Sequence, residues 1–447
     1  MTSPAVDTRS PMLIKGARPL GGPTADILVA GGQIVEVGRV SAASRSGADV
    51  VDADGLVALP GLVDLHVHLR EPGREDAETI ATGAEAAAAG GFTAVLAMAN
   101  TTPVTDTAEA AERILELGRA TRLADVQPVG AVTKGLRGEE LAELGLMARS
   151  AARVRVFSDD GHCVGDARVM RRALEYVKAF DGVVSQHAQD VRLAGPDACC
   201  HESELSGRLG LPGWPGVAEE SVVARDVMLA RHTGSRVHVA HVSTAGTVEV
   251  LRWAKAQGIA VTAEVTPHHL ALTHDLLASY DPVFKVNPPL RPEEDVRALR
   301  EALADGTIDA VATDHAPHAR HDKEHAFVDA AFGMLGLETA LSVVSDVMVA
   351  GGLLDWARVA DVMSVAPARI ARLAGHGQPI APGSPANLTL VDPAAVRTVD
   401  RAESHSLSRN NPWHGRTLTG AVVATFLRGA CTARDGRALI PELMETT

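Results

Sequence analysis

The chain of 447 residues lacks long apolar runs, paired cysteines and a signal-peptide pattern at its N-terminus. Its most apolar window, residues 84–99, is interrupted by Gly90 and Gly91 and is too short to span a bilayer. The four cysteines form no CxxC pair and show no spacing typical of a disulfide framework. We therefore expect a cytoplasmic protein without a membrane span.

Basic clusters are also missing from the sequence. Lysine and arginine number 42 against 56 aspartates and glutamates, which gives a formal net charge of −14. Nucleic acid or an anionic membrane is therefore an improbable partner. An anionic small molecule is not excluded, because a few arginines inside a cleft can bind one locally.

What the sequence does contain is a regular alternation of predicted helices and strands from residue 61 onwards. Together with the strand that carries His66, the pattern predicts eight strands, the other seven at residues 92–98, 126–132, 153–157, 183–186, 236–242, 259–265 and 308–313. Eight parallel strands with intervening helices are typical of a closed (β/α)8 TIM-like barrel, an α/β fold. Residues 61–375 are predicted to form this barrel.

Both ends of the chain show short β-type runs separated by turns rich in glycine. These runs lie at residues 26–29, 33–37, 50–52 and 56–59, and again at 387–391 and 420–428. We predict that residues 1–60 and 376–447 together form a small β-sandwich beside the barrel.

Polar residues follow several of the predicted barrel strands. His66 and His68 are two positions apart, so in a strand both imidazoles project from one face and can reach one metal ion, with Arg70 beside them. Barrel enzymes place their chemistry at the C-terminal ends of the strands. A lone buried histidine is more often a core residue than a ligand, but these strand ends carry several candidates together: His66, His68, Asp159 or Asp160, His187, His241 and Asp314.

Mixed imidazole and carboxylate ligands suit Zn²⁺ and similar first-row ions. Four histidines exceed the roughly three protein ligands of one catalytic metal, whereas two metals that share a carboxylate would use them all. Such a site lowers the pKa of bound water from about 15.7 towards about 7 and polarises a carbonyl group. The predicted chemistry is hydrolysis.

Longer motifs narrow this prediction. From about residue 12 to the C-terminus the chain resembles the dihydroorotase family of the amidohydrolase superfamily. The histidine pair alone marks only the superfamily, but HLREPG together with NPPLR and DHAPH is much narrower. The matching motifs are DLHVHLREPG at 64–73, NTTPV at 100–104, FSDDG at 157–161, TPHHL at 266–270, NPPLR at 287–291, TDHAPH at 313–318 and GLET at 336–339.

The resemblance implies a zinc site with one or two ions, most simply a binuclear one. The implied metal ligands are His66, His68, Asp160, His187, His241 and Asp314. Asp160 would take the bridging place that a carboxylated lysine holds in many superfamily members. The residues alone leave Asp159 open as the alternative and Lys134 as a less favoured rival. After His187 the chain carries Ala188 and Gln189, where relatives often carry Cys and Glu, so the groups that support His187 are in doubt.

The implied substrate is L-dihydroorotate, a cyclic ureide with a carboxylate, which forms reversibly from N-carbamoyl-L-aspartate in pyrimidine biosynthesis. The resemblance assigns Arg70, Asn100 and His318 to the carboxylate, and Asn287 to the ureide edge with backbone groups near Phe332 and Gly333. Asp314 would be the general base and acid. In the purely structural alternatives, Arg70 is an ion-pair partner and Asn100 is a turn residue.

Two rival functions remain open at this point. The nearest is another cyclic-amide hydrolase, namely a hydantoinase, dihydropyrimidinase or allantoinase. The other is a catalytically silent dihydroorotase-like subunit that serves as a scaffold for aspartate transcarbamoylase, although such subunits typically lose metal ligands and this sequence keeps all of them. A homo-oligomer and a complex with aspartate transcarbamoylase are further assemblies that the resemblance implies.

Overall fold

The centre of the molecule is built from parallel strands in two sheets. A computed structural model describes residues 10–41 and 43–440, so the outermost parts of the predicted terminal segments lie outside the described residues. The strands, numbered here first to eighth along the chain, are Leu62–Val67, Phe92–Ala97 and Asp125–Pro128 in one sheet, and Val156–Phe157, Val183–Gln186, Val237–Val239, Val261–Val265 and Ala310–Val311 in the other. The prediction of a mixed α/β fold is confirmed.

Single parallel bridges connect the two sheets at both edges. Gly130, just after the third strand, pairs with Phe157 of the fourth, and Val67 of the first pairs with His315 just after the eighth. The His68 amide donates to the His315 carbonyl at 2.8 Å. The C-terminal ends of the first and eighth strands therefore lie side by side.

Helices follow most of these strands and begin where the sequence offers a cap. Thr79, Thr107, Asp166 and Thr244 each accept a hydrogen bond from a backbone amide of the first helical turn. The first helix consequently starts at Ile80. The helices between the strands are Ile80–Ala89, Ala108–Thr121, Leu144–Arg149, Ala167–Val177, Val217–Thr233, Ala245–Ala256 and Glu293–Asp305.

Beyond the eighth strand, two longer helical stretches each contain a π-helical turn. They run through Ala340–Val344 and Ser345–Val349, and through Trp356–Ala360, Asp361–Val365 and Ala366–Ala371. Short helices in the connections are Val191–Ala194, Glu204–Leu209, Pro267–Ala271 and Arg320–Lys323, and Cys200–His201 pairs with Gly213–Trp214. Across residues 10–41 and 43–440, every helix is too short or too polar to cross a membrane.

Strands from both ends of the chain share one nine-stranded sheet. It contains Met12–Pro19, Ala25–Ala30, Gln33–Gly38, Asp49–Asp52, Val57–Pro60, Leu388–Thr398, Thr417–Leu427, Ala430–Arg434 and Arg437–Ala438. Val57–Pro60 pairs antiparallel with Leu388–Thr398, which joins the two ends directly. Sequence patterns did not predict Met12–Pro19, because Gly16 and Pro19 are residues that strands disfavour. The predicted domain boundaries and the sandwich stay predictions.

A partly buried carboxylate connects the terminal sheet to the parallel strands. Asp125, at the start of the third strand, accepts two hydrogen bonds from the Arg428 guanidinium at 2.6 and 2.9 Å and one from His376 Nε2 at 2.8 Å. Burial opposes ionisation of Asp125, but His376 and Arg428 outweigh it and lower the pKa of this carboxyl. The charged form of Asp125 thus stabilises the junction.

Replacing this carboxylate tests its contribution. We expect Asp125→Asn to lower the free energy of unfolding by about 1–3 kcal/mol, the usual range for hydrogen bonds to a charged group. Because the folded pKa lies below the unfolded value of about 3.9, the contribution is complete well above that pH and shrinks as the pH falls below about 4, so the two proteins should converge only as the pH approaches the lower, folded pKa. Chemical denaturation at several pH values measures this difference.

The control is Asp305→Asn, which breaks the pair with Arg252 between half-exposed side chains. That change should shift the free energy of unfolding by less than about 0.5 kcal/mol. Equal effects of the two substitutions on the free energy of unfolding at pH 7 would show that Asp125 stabilises the protein no more than an exposed ion pair does.

Candidate active site

Two histidines at the end of the first strand lie against one carboxylate. His66 and His68 project from the same face of the strand, with ring centroids 5.4 Å apart. The Nε2 atoms of the two rings lie 3.2 and 3.3 Å from the carboxylate oxygens of Asp160. All three side chains are buried.

A second pair of histidines approaches Asp160 from the other side. His187 follows the fifth strand and His241 follows the sixth. His187 Nδ1 and His241 Nε2 each lie 3.4 Å from Asp160 Oδ1 and 2.9 Å from one another. Asp160 is thus shared by two triads, and the candidate ligand atoms within each triad lie no more than 4.8 Å apart.

Asp314 completes the cluster from the eighth strand. Its Oδ1 lies 3.0 Å from His68 Nε2 and 3.5 Å from His66 Nε2. Asp314 has φ 47° and His241 has φ 32°, in the left-handed region that non-glycine residues rarely adopt. Backbone strain of this kind collects at functional sites, where the surrounding structure maintains an unusual side-chain direction.

The two alternatives to Asp160 lie outside this cluster. Asp159 accepts hydrogen bonds from the amides of Val132 and Thr133 at 2.8 and 2.9 Å and from the Thr133 hydroxyl, so its carboxylate stabilises the end of the third strand. Lys134 is half-exposed and pairs with Glu140 at 3.2 Å. Of the three candidates, the geometry favours Asp160.

One supporting residue, Glu264, escaped the sequence analysis. Glu264, in the seventh strand, accepts a hydrogen bond from His66 Nδ1 at 3.0 Å and another from His238 Nε2 at 3.0 Å. The first bond places the proton of His66 on Nδ1 and leaves Nε2 as a lone pair towards Asp160. Burial opposes ionisation of Glu264, but the two imidazoles lower its pKa to about 2. The sequence feature that could have identified Glu264 is the presence of a carboxylate inside the apolar strand Val261–Val265.

The cluster has the properties of a cation site. His66 Nε2 is buried and makes no hydrogen bond with any residue of 10–41 or 43–440. Burial opposes protonation of His66, yet Asp160 and Asp314 raise its pKa well above the ordinary value. The carboxylates therefore favour positive charge at this point, and the donor set of imidazole nitrogens and carboxylate oxygens suits a first-row divalent ion.

A cavity of about 180 Å³ opens next to this cluster. The six residues predicted to bind substrate all line it, together with four of the predicted metal ligands. Its lining consists of His68, Arg70, Asn100, Asp160, Gly161, His187, Asn287, Asp314, Ala316, His318, Phe332 and Gly333. The sequence-predicted residues are therefore brought together, while their individual roles stay predictions.

Arg70 and His318 form one wall of the cavity. Arg70 Nε donates to the Pro317 carbonyl at 2.9 Å, and Arg70 Nη2 lies 3.3 Å from His318 Nε2. His318 Nε2 donates in turn to the Phe332 carbonyl at 2.6 Å. Burial and the neighbouring Arg70 lower the pKa of His318 to about 2, so this ring is neutral at pH 7. The guanidinium supplies the positive charge of this wall.

Asn100 and Asn287 each use part of their amide on the protein. Asn100 Oδ1 accepts from His68 Nδ1 at 2.9 Å, which directs the lone pair of Nε2 towards the carboxylates. Asn287 Nδ2 donates to Gln189 Oε1 at 2.9 Å. Asn100 is thus more than a turn residue, because it orients a candidate metal ligand.

Buried imidazoles and carboxylates at the ends of parallel strands, beside a cavity with an arginine, are the arrangement expected of a metal-assisted hydrolase. A family model described as dihydro-orotase-like matches residues 55–247. Dihydroorotase from Streptomyces coelicolor is 62% identical over 96% of this chain and 99% of that protein. Dihydroorotase from Mycobacterium tuberculosis is 57% identical over 95% of this chain and 99% of that protein. The chain belongs to the dihydroorotase family.

Solved structures of cyclic-amide hydrolases share the fold. L-hydantoinase from Arthrobacter aurescens superimposes with a TM-score of 0.84 at 26% identity, over 96% of this chain and 97% of that chain. Dihydropyrimidinase from Brevibacillus agri gives a TM-score of 0.84 at 23% identity, over 96% of both chains, which shows the fold alone. The much higher identity to dihydroorotases makes a hydantoinase the weaker alternative.

Metal analysis of variants tests the cluster. We expect the purified protein to contain one to two equivalents of divalent metal and Asp160→Ala to lose most of it, because Asp160 is common to both triads. Atomic absorption after dialysis measures the content.

The matched control is Asp76→Ala, in an exposed group with His321 and Asp322 that also has ligand-like spacing. It should leave the metal content unchanged, because that group is open to water and carries an ion pair with Arg74. Full metal content in Asp160→Ala would contradict the assignment.

Proposed function

We propose that this chain catalyses the reversible hydrolysis of L-dihydroorotate to N-carbamoyl-L-aspartate, with the residues of the cluster and cavity in the roles given below. The observation that carries this proposal is the shared carboxylate of Asp160 between two histidine pairs, beside a cavity whose wall holds Arg70. Membership of the dihydroorotase family supports the choice of substrate.

The proposed scaffold is a closed (β/α)8 barrel beside a β-sandwich made by both ends of the chain. The parallel bridges of Gly130 with Phe157 and of Val67 with His315, at both edges of the two sheets, support closure. In such a barrel the candidate ligands occupy the C-terminal mouth.

The proposed cofactor is a pair of Zn²⁺ ions. His66, His68 and Asp314 would hold one ion, His187 and His241 the other, and Asp160 would bridge them. When bound, such ions lower the pKa of water from about 15.7 towards about 7 and polarise the carbonyl group under attack.

Arg70 is the proposed anchor for the substrate carboxylate. Its Nε is occupied by the Pro317 carbonyl, which fixes the guanidinium plane and leaves the outer N–H groups for the ligand. Burial lowers the pKa of Arg70 only to about 10, so the group is charged at pH 7. Arg70 is only partly exposed, and a cation in such a place is costly without an anion, so this wall favours a cyclic ureide with a carboxylate over an uncharged one.

Asp314 is the proposed proton carrier. Burial opposes its ionisation, but His66 and the hydrogen bond from His68 lower its pKa, so it begins the hydrolytic direction as a carboxylate. It would accept a proton from the attacking water as the C–O bond forms at the ring carbonyl. It would then donate that proton to the ring nitrogen as the C–N bond breaks, and the reverse order applies to ring closure.

Two other candidate functions are less well supported. Another cyclic amidase would share the fold, but its uncharged substrate would leave Arg70 unpaired. A silent scaffold subunit would not need the complete ligand set that this chain keeps. The homo-oligomer and the complex with aspartate transcarbamoylase stay predictions from the resemblance.

Substrate comparison tests the role of Arg70. We expect the protein to turn over dihydroorotate and to use dihydrouracil, which has no carboxylate, at least about 100-fold less efficiently. Arg70→Ala should raise KM for dihydroorotate by about 10- to 150-fold, the loss of a hydrogen bond to a charged group. Steady-state kinetics measures both values.

Arg74→Ala serves as the control for a nearby but exposed arginine, and its KM should stay close to that of the unchanged protein. The role of Arg70 is wrong if its removal leaves KM for dihydroorotate unaltered, or if dihydrouracil is the better substrate.

Changing the proton carrier should affect turnover rather than binding. We expect Asp314→Asn to lower kcat by about 10²- to 10⁴-fold, the range for removal of a general acid–base group, with a smaller change in KM. Metal content must be measured in parallel, because Asp314 is also a candidate ligand. Asp309→Asn, at the opposite end of the eighth strand in a pair with Lys255, is the matched control. Retention of kcat in a metal-loaded Asp314→Asn protein would reject the assignment.

A further inference from the structure

The side-chain amide of Gln189 connects a candidate metal ligand to a candidate substrate-binding residue. Gln189 Oε1 lies 3.0 Å from His187 Nε2 and 2.9 Å from Asn287 Nδ2. His187 Nδ1 is turned towards Asp160, so Nε2 carries the ring proton. One oxygen therefore accepts from both donors, and this fixes the orientation of the Gln189 amide.

The same contact fixes the orientation of Asn287. Its Nδ2 is engaged by Gln189, and its Oδ1 is buried without a hydrogen-bond partner in the described part of the chain. A buried acceptor of this kind calls for a donor, because a buried polar atom without a hydrogen bond is destabilising. Asn287 also lines the cavity beside the metal cluster.

We propose that Gln189 is a positioning residue that holds Asn287 with its Oδ1 reserved for a ureide N–H of the substrate. This inference rests on the proposed function, since a cyclic ureide supplies the N–H donor. Without Gln189 the side-chain amide of Asn287 is free to rotate by half a turn, which would place its Nδ2–H group against the ureide N–H of the substrate. The Gln189–Asn287 pair would thus select rings that carry an N–H at this edge.

Gln189 also orients His187, and this second role can be measured separately from its contact with Asn287. Its bond to His187 Nε2 orients that ring, and loss of such outer contacts typically weakens metal binding by about 10- to 100-fold. Asn287, in contrast, donates its hydrogen bond to Gln189 rather than to a candidate metal ligand. Substitutions at the two positions should therefore differ in metal affinity and agree in substrate affinity.

A double-mutant cycle on the full-length protein tests this coupling. The variants are Gln189→Leu, Asn287→Ala and the double variant, each assayed with dihydroorotate at saturating zinc. Each single variant should raise KM by about tenfold and leave kcat within about threefold of the original value. The double variant should also raise KM by about tenfold rather than a hundredfold, because both substitutions remove the same hydrogen bond to the substrate.

Metal affinity supplies a readout that is independent of turnover. Competition with a zinc-binding dye should show a dissociation constant raised about 10- to 100-fold in Gln189→Leu and in the double variant, but unchanged in Asn287→Ala. Gln189→Glu, which keeps an acceptor of the same length, should restore KM to within about threefold of the original. Gln189→Ala repeats the cycle if the leucine variant does not fold.

Two results would overturn the proposal. One is an unchanged KM in Gln189→Leu at saturating zinc. The other is a KM raised a hundredfold in the double variant relative to the unchanged protein, which would show that the two residues act independently. Failure of the unchanged protein to hydrolyse dihydroorotate would instead reject the proposed function, so the two failures are distinguishable.

Discussion

The shared carboxylate of Asp160 is the constraint on which the site depends. Four buried imidazoles and a second carboxylate, that of Asp314, converge around it from four different strand ends. Buried charges are costly unless they are paired, so such a cluster persists only if the backbone holds every partner in place. The left-handed φ of His241 and Asp314 shows that the chain accepts local strain to achieve this arrangement.

Polar side chains outside the cluster determine which nitrogen three of the four histidines offer. Glu264 accepts from Nδ1 of His66, Asn100 from Nδ1 of His68, and Gln189 from Nε2 of His187. Each acceptor leaves the other ring nitrogen as a lone pair directed at Asp160. Asn100 also lines the cavity, and Gln189 contacts Asn287, which lines it too, so the same side chains connect the metal site to the substrate cavity.

Sequence patterns could predict this site as far as residues lie on regular strands. The two-residue spacing of His66 and His68 predicts one shared face, and strand ends predict the neighbourhood of His187, His241 and Asp314. The choice between Asp159 and Asp160 could not be made from spacing, because the chain leaves its strand at Phe157 and side chains no longer alternate. Glu264 was missed because its partners His66 and His238 are distant or unremarkable in sequence, and only the folded sheet brings them within 3.0 Å.

The pairing of Val57–Pro60 with Leu388–Thr398 has a consequence for biosynthesis. The strand that leads directly into the histidine pair has as its antiparallel neighbour a segment more than three hundred residues later in the chain. While the ribosome is still translating the middle of the protein, this edge of Val57–Pro60 has no native neighbour and is open to other chains. The pairing of Val57–Pro60 must therefore wait until residues 388–391 have left the exit tunnel, and completion of the terminal sheet until residue 438 has left it. Until then the nascent chain depends on its parallel strands for order.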